Sequence, residues 1–589
     1  MRNKWIWTGI GAAVLVIAAV VAMILHSEAG KGEMRMSDKG NTEAISTAGQ
    51  SINTEPKNTV SINVKLSELG QTMENKFSDI NQWDMAMDWT TEKASGQPEN
   101  YMREKYPFVK RVQLMTATGG HQTRDLLLDP SDRKKMDDYS FTRLGTAIDN
   151  IIRQGLTPYI VIGNVPLKYS TEPYIGGFGV NVRPPDDYKV YFKYVKALGE
   201  YLVDRFGLEE VRNWTWRALV EYENVDWFNA GDPVTTKEAY FKLYDYTVAA
   251  LEEVVGAEHL YIGAHSMSNA EGFWDEREFI DHVASGTNYY TGKKGTQLDF
   301  LTFSYYDTKP GVRAPAPYTV ASDLSLLRDR AVKNGLTDLK YGVDEGRIAC
   351  GQDDKELYPR TVASSYQSAY DAKLYKEMHD INLDYFSTWY LNTECIWGEA
   401  IGIDPVGTHL ANLSYRMEGG ARASVQASKP VSADSDEVDG IAAYHQDSQK
   451  AQLLLYNFNE DPALASGEAV AVTFDKVEAL RDGSVKVKKW IIDDDHANYW
   501  PKWEEDMKKR GISADDFGKW SADSWTISGV ARQKVQDYWY ANIMKYRDLS
   551  MLKMEEVTVE IKDGKLVLTE ELAPQGVVFY EITGLKPSL

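Results

Sequence analysis

Two short stretches place carboxylates directly after an apolar run: Leu219-Val220-Glu221-Tyr222-Glu223-Asn224 and Val343-Asp344-Glu345-Gly346-Arg347. Two others, Ser304-Tyr305-Tyr306-Asp307 and Thr388-Trp389-Tyr390, end apolar runs in aromatic residues. Paired carboxylates with aromatics beside them suit hydrolysis of a glycosidic bond. One carboxylic acid protonates the leaving oxygen, and a second carboxylate attacks the anomeric carbon or activates water. Acidic residues at strand ends also cap helices or face solvent, so the chemistry depends on the elements that position them.

Those elements alternate. From about residue 79 to 417, β-type runs (Ile80–Met85, Val109–Met115, Pro158–Gly163, Trp214–Val220, Leu260–Ala264, Phe300–Tyr305, Lys340–Val343 and Tyr385–Tyr390) are interleaved with helical ones (Phe141–Gln154, Asp187–Phe206, Lys237–Val255, Ala321–Asn334 and Ser364–His379). The rhythm predicts parallel βαβ units. Eight strands over this length predict an α/β fold, a (β/α)8 TIM barrel, rather than an open doubly wound sheet, and no Gly-rich dinucleotide fingerprint follows the early strands. Such a barrel works at the C-terminal ends of its strands, where Glu221 (fourth strand), Tyr305 and Tyr306 (sixth), Glu345 (seventh) and Trp389 (eighth) fall. After about residue 422, short strands with turn-rich spacers predict a C-terminal antiparallel β-sandwich domain. The expected organisation is residues 1–26 as a signal anchor or signal peptide, 27–58 as a flexible linker, 59–422 as the barrel and 423–589 as the sandwich with a helical insertion at about 500–550. Within the barrel segment, 59–66 is a strand that could instead pair with the sandwich.

The N-terminal transmembrane anchor is expected from the uncharged run Trp5–Leu25, which follows Arg2 and Lys4 and has the length needed to cross a bilayer. An uncleaved anchor with an extracellular catalytic domain is favoured over a secreted chain cut near Ser27-Glu28-Ala29-Gly30. The chain carries 65 Lys and Arg against 87 Asp and Glu, a net charge of −22, which disfavours nucleic acid as a partner. Two cysteines exclude a disulfide framework and a Cys-based zinc site. No His/Asp cluster has zinc spacing, so no metal or other cofactor is expected. A carbohydrate substrate is consistent with the 12% aromatic content; the oligomeric state is left open.

Several segments taken in order resemble glycoside hydrolase family 39, which contains β-xylosidases and α-L-iduronidases and belongs to the retaining clan A barrels. They are Gly155-Leu-Thr-Pro-Tyr-Ile-Val-Ile-Gly-Asn-Val-Pro166, Pro184-Pro-Asp-Asp-Tyr188, Val211-Arg-Asn-Trp214, Leu298-Asp-Phe-Leu-Thr-Phe-Ser-Tyr-Tyr306 and Tyr341-Gly-Val-Asp-Glu345. Further on, Ile492-Asp-Asp-Asp-His-Ala-Asn-Tyr499 with Trp503, and Leu572-Ala-Pro-Gln-Gly-Val-Val578, resemble segments of the family's β-sandwich. The resemblance covers about residues 79–585. It implies Glu221 as general acid/base and Glu345 as nucleophile of a retaining glycosidase. A raised pKa is then expected for Glu221 and an ionised Glu345.

The chain departs from that pattern where it matters. The family's Asn-Glu-Pro is Val220-Glu221-Tyr222, and valine cannot hydrogen-bond a sugar 2-hydroxyl as the asparagine does. Either the substrate lacks a free 2-hydroxyl, or Asn224 or Glu223 reaches in, or the protein is a weakened or inactive enzyme. Glu223, two residues from Glu221 on a strand, is expected to point the same way. Gln113 stands where the family often has histidine, again suggesting a sugar other than xylose. Tyr305, Tyr306 and Trp389 are candidate sugar contacts, with Trp389 as a stacking platform. Arg111 could hold the nucleophile ionised or form a structural ion pair. His121 and His265 fit loop or strand-end polar roles, and Asp493–His496 a structural segment. Residues 169–185 suggest a loop over the rim. Cys350 and Cys395 would fall on one rim, where an exported chain could join them in a disulfide or keep two unrelated thiols.

Overall fold

A computed structural model describes residues 59–82, 99–115, 117–121, 125–267, 272–307, 319–348, 364–388, 403–428, 436–511 and 529–588. The expected anchor at Trp5–Leu25, Trp389, Cys350 and Cys395 lie outside the described residues. No helix among those described is long and apolar enough to cross a membrane.

The chain starts in β1 (Val60–Thr72) and then enters a closed barrel of eight parallel strands: β2 (Asp79–Gln82), β3 (Arg111–Leu114), β4 (Thr157–Ile162), β5 (Thr215–Ala218), β6 (Ile262–Ser266), β7 (Phe300–Asp307), β8 (Lys340–Ile348) and β9 (Tyr385–Thr388). β9 pairs with β2 to close it. Strands buried on both faces read as nearly unbroken apolar runs, as in Thr157–Ile162. The helices between strands start where the local chemistry dictates. Pro233 opens the helix Pro233–Val255 and Asp232 caps it by accepting from the amides of Val234 and Thr235. Thr319 and Ser322 form a reciprocal capping box at the start of Val320–Lys333. Two further helices in this region, Arg277–Ser285 and Val406–Tyr415, escaped the sequence pattern, the first being only nine residues long.

Side chains on the inner face of the barrel alternate along each strand. Asp79 and Asn81, Arg111 and Gln113, Tyr159, Thr215 and Arg217, Gly263 and His265, Phe300, Thr302 and Ser304, Gly342, and Tyr385 and Ser387 meet by register. Two glycines make room among them. A β-carbon at Gly263 would lie 2.3 Å from the Phe300 ring, and one at Gly342 would lie 2.5 Å from the Tyr385 ring.

The C-terminal region differs from the expected antiparallel sandwich. Val477–Ala479 and Leu585–Pro587 pair in a small two-stranded sheet, and the other described strands form a nine-stranded sheet in the spatial order Met554–Glu560, Ser484–Ile492, Val577–Thr583, Lys450–Phe458, Glu437–His445, Ala421–Ala427 (β10), β1, Glu468–Asp475 and Lys565–Leu572. The larger sheet is mixed because β1 runs parallel to Glu468–Asp475 while it is antiparallel to β10. One face holds an apolar cluster including Ile62, Val64, Leu453, Leu455, Val472 and Ile582. On the other, Leu454, Tyr456, Phe458 and Phe579 join the barrel core. Ser365 at the start of the helix Ser365–Asp380 donates to Asp494 (2.6 Å), and Asp493 accepts from the amides of Asp495 and His496 (2.8 Å each), so Asp493–His496 is a turn that helps seat sheet on barrel. The region 500–550 contributes the helices Trp500–Lys509 and Gly529–Ser550.

Candidate active site

β5 ends at Ala218, and the next residues leave regular geometry. Leu219 (φ 69°) and Glu221 (φ 42°) both adopt the left-handed region that disfavours residues with a β-carbon. Hydrogen bonds hold this turn: the Leu219 amide donates to the Ile162 carbonyl (2.6 Å) and the Tyr222 amide to that of His265 (2.9 Å). Gly163 permits the approach, since a β-carbon there would lie 2.8 Å from the Leu219 nitrogen. Val220 turns into an apolar cluster with Met115, Val161, Phe178, Val180, Val182 and Trp227. Tyr222 stacks on Tyr240 and Trp274. With both neighbours anchored outward, the Glu221 carboxyl is presented to the barrel mouth.

A bulge positions its partner. Phe303 pairs with Val343 but Ser304 pairs with Glu345, so Asp344 is an extra residue on β8. The irregularity recurs on the β9 side between Val343 and Gly346. Neighbouring residues on a flat strand point to opposite faces; here both Asp344 and Glu345 reach the barrel interior.

Asp344 is a buried hub. Its carboxylate accepts from Arg217 Nη1, Tyr159 OH (2.7 Å), Thr302 Oγ1 (2.6 Å) and Tyr385 OH (2.8 Å). Burial alone would raise its pKa, but the Arg217 charge and these donors pull it below the usual carboxylate value.

Above it lie Glu221, Glu345 and His265, each offering a donor atom within 4.8 Å of the other two. Glu221 Oε1 accepts from Ser304 Oγ (2.6 Å) and Oε2 from Asn224 Nδ2 (2.7 Å). Glu345 Oε2 accepts from Tyr306 OH (3.1 Å), and its buried Oε1 has no hydrogen-bond partner among the described residues. Burial pushes the Glu221 pKa up against the Ser304 and Asn224 donors. Burial and then the charge of Glu221 push Glu345 well above its usual value. Both carboxyls are therefore held above the ordinary carboxylate range, Glu345 the more strongly. The raised Glu221 agrees with the expectation, whereas the expected ionised Glu345 is opposed by its burial and by the charge of Glu221. His265 is driven well below its ordinary pKa, by burial first and then by Arg217, and its ring is neutral. The three donor atoms are close enough to share a cation. Ser304 and Asn224 already engage Glu221, however, and Arg217 supplies positive charge, so the set suits proton transfer better than metal ligation.

The other residues singled out from the sequence separate. Asn224 orients Glu221. Tyr306 holds Glu345. Tyr305 alternates away and packs against the apolar core. Glu223 does not share the direction of Glu221, because the chain is no longer a strand there; it accepts from Ser266 Oγ (2.5 Å) and the Met267 amide (2.7 Å). Gln113 is fully buried, its amide 3.5 Å from the Asp344 carbonyl. Arg111 pairs with Asp79 (2.8 Å) and bonds Thr215 at the bottom of the barrel, so it is a structural ion pair and not a neighbour of Glu345. Within 169–185, Phe178, Val180 and Val182 anchor the loop on the Val220 cluster and Tyr174 is exposed. The backbone of His121 bridges to Val180 of this loop. Sequence reasoning missed Arg217, Ser304 and the role of His265. A lone arginine inside the apolar run Trp214–Val220, two residues from an inward Thr215, was the available signal for the first.

Residues 108–320 match the family model described as glycosyl hydrolases family 39. A β-xylosidase of Geobacillus stearothermophilus is 26% identical over 178 residues, 28% of this chain and 33% of that protein. A β-xylosidase of Caldicellulosiruptor saccharolyticus is 28% identical over 172 residues, 29% of this chain and 32% of that protein. The chain thus spans about a third of the length of these curated relatives. In fold it resembles the crystal structure of the GH39 enzyme from Xanthomonas axonopodis pv. citri, with a TM-score of 0.63 at 14% identity over 89% of this chain and 97% of the other.

Proposed function

We propose that this chain, which belongs to glycosyl hydrolases family 39, is a retaining glycosidase that cleaves O-glycosidic bonds by double displacement. The observation that carries the reading is the closeness of Glu221 and Glu345, each of which places a carboxylate oxygen within 4.8 Å of one of the other's at the C-terminal ends of β5 and β8. An inverting enzyme needs roughly 6.5–9.5 Å to seat a water between its carboxyls, and a retaining one about 5–5.5 Å. Glu345 attacks the anomeric carbon while Glu221 gives its proton to the departing oxygen, leaving a glycosyl–Glu345 ester. Glu221, now a base, takes a proton from water. That water attacks the anomeric carbon and the Glu345 carboxylate departs. Tyr306 and the nearby Arg217 charge favour Glu345 as an anion at attack and as a leaving group.

The substrate is a cell-surface or environmental polysaccharide or oligosaccharide, and the enzyme is exported on the Trp5–Leu25 run as a single-pass membrane protein with its barrel outside. The charged residues before that run and the acidic, aromatic-rich body support this. Val220 favours one alternative, a tethered carbohydrate-binding pseudoenzyme, because it packs into an apolar cluster and supplies no hydrogen bond to a sugar. A panel of nitrophenyl glycosides and exopolysaccharides, with products weighed by mass spectrometry, separates the two. Hydrolysis with retained configuration supports the glycosidase; binding without hydrolysis across the panel supports the pseudoenzyme.

A further inference from the structure

Ser304 stands between Glu221 and His265. Its Oγ lies 2.6 Å from Glu221 Oε1 and 3.0 Å from His265 Nε2. A hydroxyl has one proton to give. If Ser304 gives it to Glu221, it must accept from the ring, and His265 then carries its proton on Nε2. The other ring nitrogen fits this choice. Nδ1 is buried with no hydrogen-bond partner among the described residues, and an orphaned acceptor in a protein interior is tolerated better than an orphaned N–H. His265 itself is fully buried on β6, with the Tyr222 amide donating to its carbonyl, so the ring sits on a well-anchored backbone.

We propose that His265, acting through Ser304, is a positioning residue for Glu221: its Nε2–H fixes the Ser304 hydroxyl as a donor to Oε1 and so sets the pH at which Glu221 changes from acid to base. The inference rests on the retaining reading above. It answers a difficulty in that reading. A carboxyl as buried as Glu221 risks staying protonated through the second displacement, when it must act as a base. A hydroxyl locked in the donating direction counters this, because a hydrogen bond to the charged form favours that form. A free serine could instead accept from the acid and lose that bias. The other charged or titratable groups of this environment are Arg217 on β5, Asp226 beyond it, Asp344 and Glu345 on β8 and Tyr306 on β7. None of these interposes a hydrogen bond between His265 and Glu221.

The test is a double-mutant cycle on the full chain, read as the basic limb of the kcat/KM–pH profile. Ser304→Ala should move that limb up by about one pH unit, the value of one hydrogen bond to a charged group. His265→Leu should move it up by about half as much, since the hydroxyl remains but is no longer directed. His265→Gln, whose amide can still donate to Ser304, should restore the wild-type limb. In the Ser304→Ala background, His265→Leu should add nothing. An unmoved limb in His265→Leu, or an equal shift with and without Ser304, would overturn the proposal. The Glu221 carboxyl is followed in parallel by the ¹³C shift of carboxyl-labelled protein, assigned by its loss in Glu221→Gln. That titration needs no turnover. A chain that hydrolyses no glycoside yet shows the cycle in ¹³C would sink the glycosidase reading and leave the His265–Ser304–Glu221 connection standing.

Discussion

Two layers of buried charge lie one above the other in the barrel, and they are satisfied to different degrees. In the lower, Asp79 faces Arg111 and Asp344 faces Arg217, two acids against two guanidinium groups. Hydroxyls of Tyr159, Thr302 and Tyr385 complete the shell of Asp344. In the upper, Glu221 and Glu345 share neutral donors and the more distant field of Arg217. Burial is common to both, so burial alone does not mark a catalytic group. Compensation differs carboxyl by carboxyl: Arg217 and its hydroxyl donors hold Asp344 below the usual carboxylate value, whereas burial outweighs the partners of Glu221 and Glu345 above it, and of Asp79 below, and raises all three. Perturbed carboxylates with too few partners are candidates for chemistry, and fully paired ones are candidates for architecture.

The upper layer breaks first in activity. Glu345→Gln should lower turnover by a factor on the order of 10⁴–10⁶ and abolish covalent trapping by a fluoro-sugar, seen as a missing mass increment. Full activity in this variant would remove Glu345 from the chemistry. Glu221→Gln should cost about 10²–10⁴-fold on substrates with poor leaving groups. With an activated aryl glycoside the loss should shrink, and added azide should restore turnover as glycosyl azide. The lower layer breaks in stability. Arg217→Met strands Asp344 as an unpaired buried charge and should cost about 3–5 kcal/mol in chemical denaturation. The exposed pair Arg205–Asp149 should be worth less than about 1 kcal/mol in the same assay. The sign with pH follows. The folded pKa of Asp344 lies below its unfolded value, so its contribution is present above the unfolded pKa of about 3.9 and disappears as pH falls through the folded one. Wild type should therefore lose stability toward acid by a step that Arg217→Met lacks. Tyr306→Phe sharpens the comparison most finely. It removes one neutral donor from Glu345 and should lower kcat/KM by up to about tenfold while moving the acidic limb upward.

The barrel was legible because parallel strands bury both faces and helices bury one, so each leaves its own period in the sequence. The eight runs from Ile80–Met85 to Tyr385–Tyr390 fall on the eight barrel strands to within a few residues. The carboxylates Glu221 and Glu345 were legible because they end two of those runs. Alternation then failed locally at two places. At Glu223 the left-handed turn at Leu219 and Glu221 cancels the period of two that would align it with Glu221. At Asp344 the bulge on β8 turns an apparent neighbour of Glu345 into the hub of the layer below. Neither a turn of this kind nor a bulge carries a residue-type signature in these stretches. The mixed character of the C-terminal sheet was hidden for a different reason: strand direction follows from pairing across some 400 positions of chain, which no local window contains.

That long pairing has a mechanical consequence. β1 and β10 are antiparallel neighbours, so the whole barrel is an insertion between two adjacent strands of the sheet. Its ends are tied where they leave, with the Met73 amide donating to the Gly420 carbonyl (2.7 Å) and the Gly419 amide to that of Met73 (2.9 Å). Among the described residues, the seam that closes the barrel, β2 against β9, pairs Asp79 with Ser387 and Ile80 with Thr388. The tie works as a buckle outside that seam, because prising β2 from β9 would also strain a strand held inside the nine-stranded sheet. Shortening the chain through β1 would unbuckle the barrel without touching a barrel residue, and β2 would be the first stave to come loose.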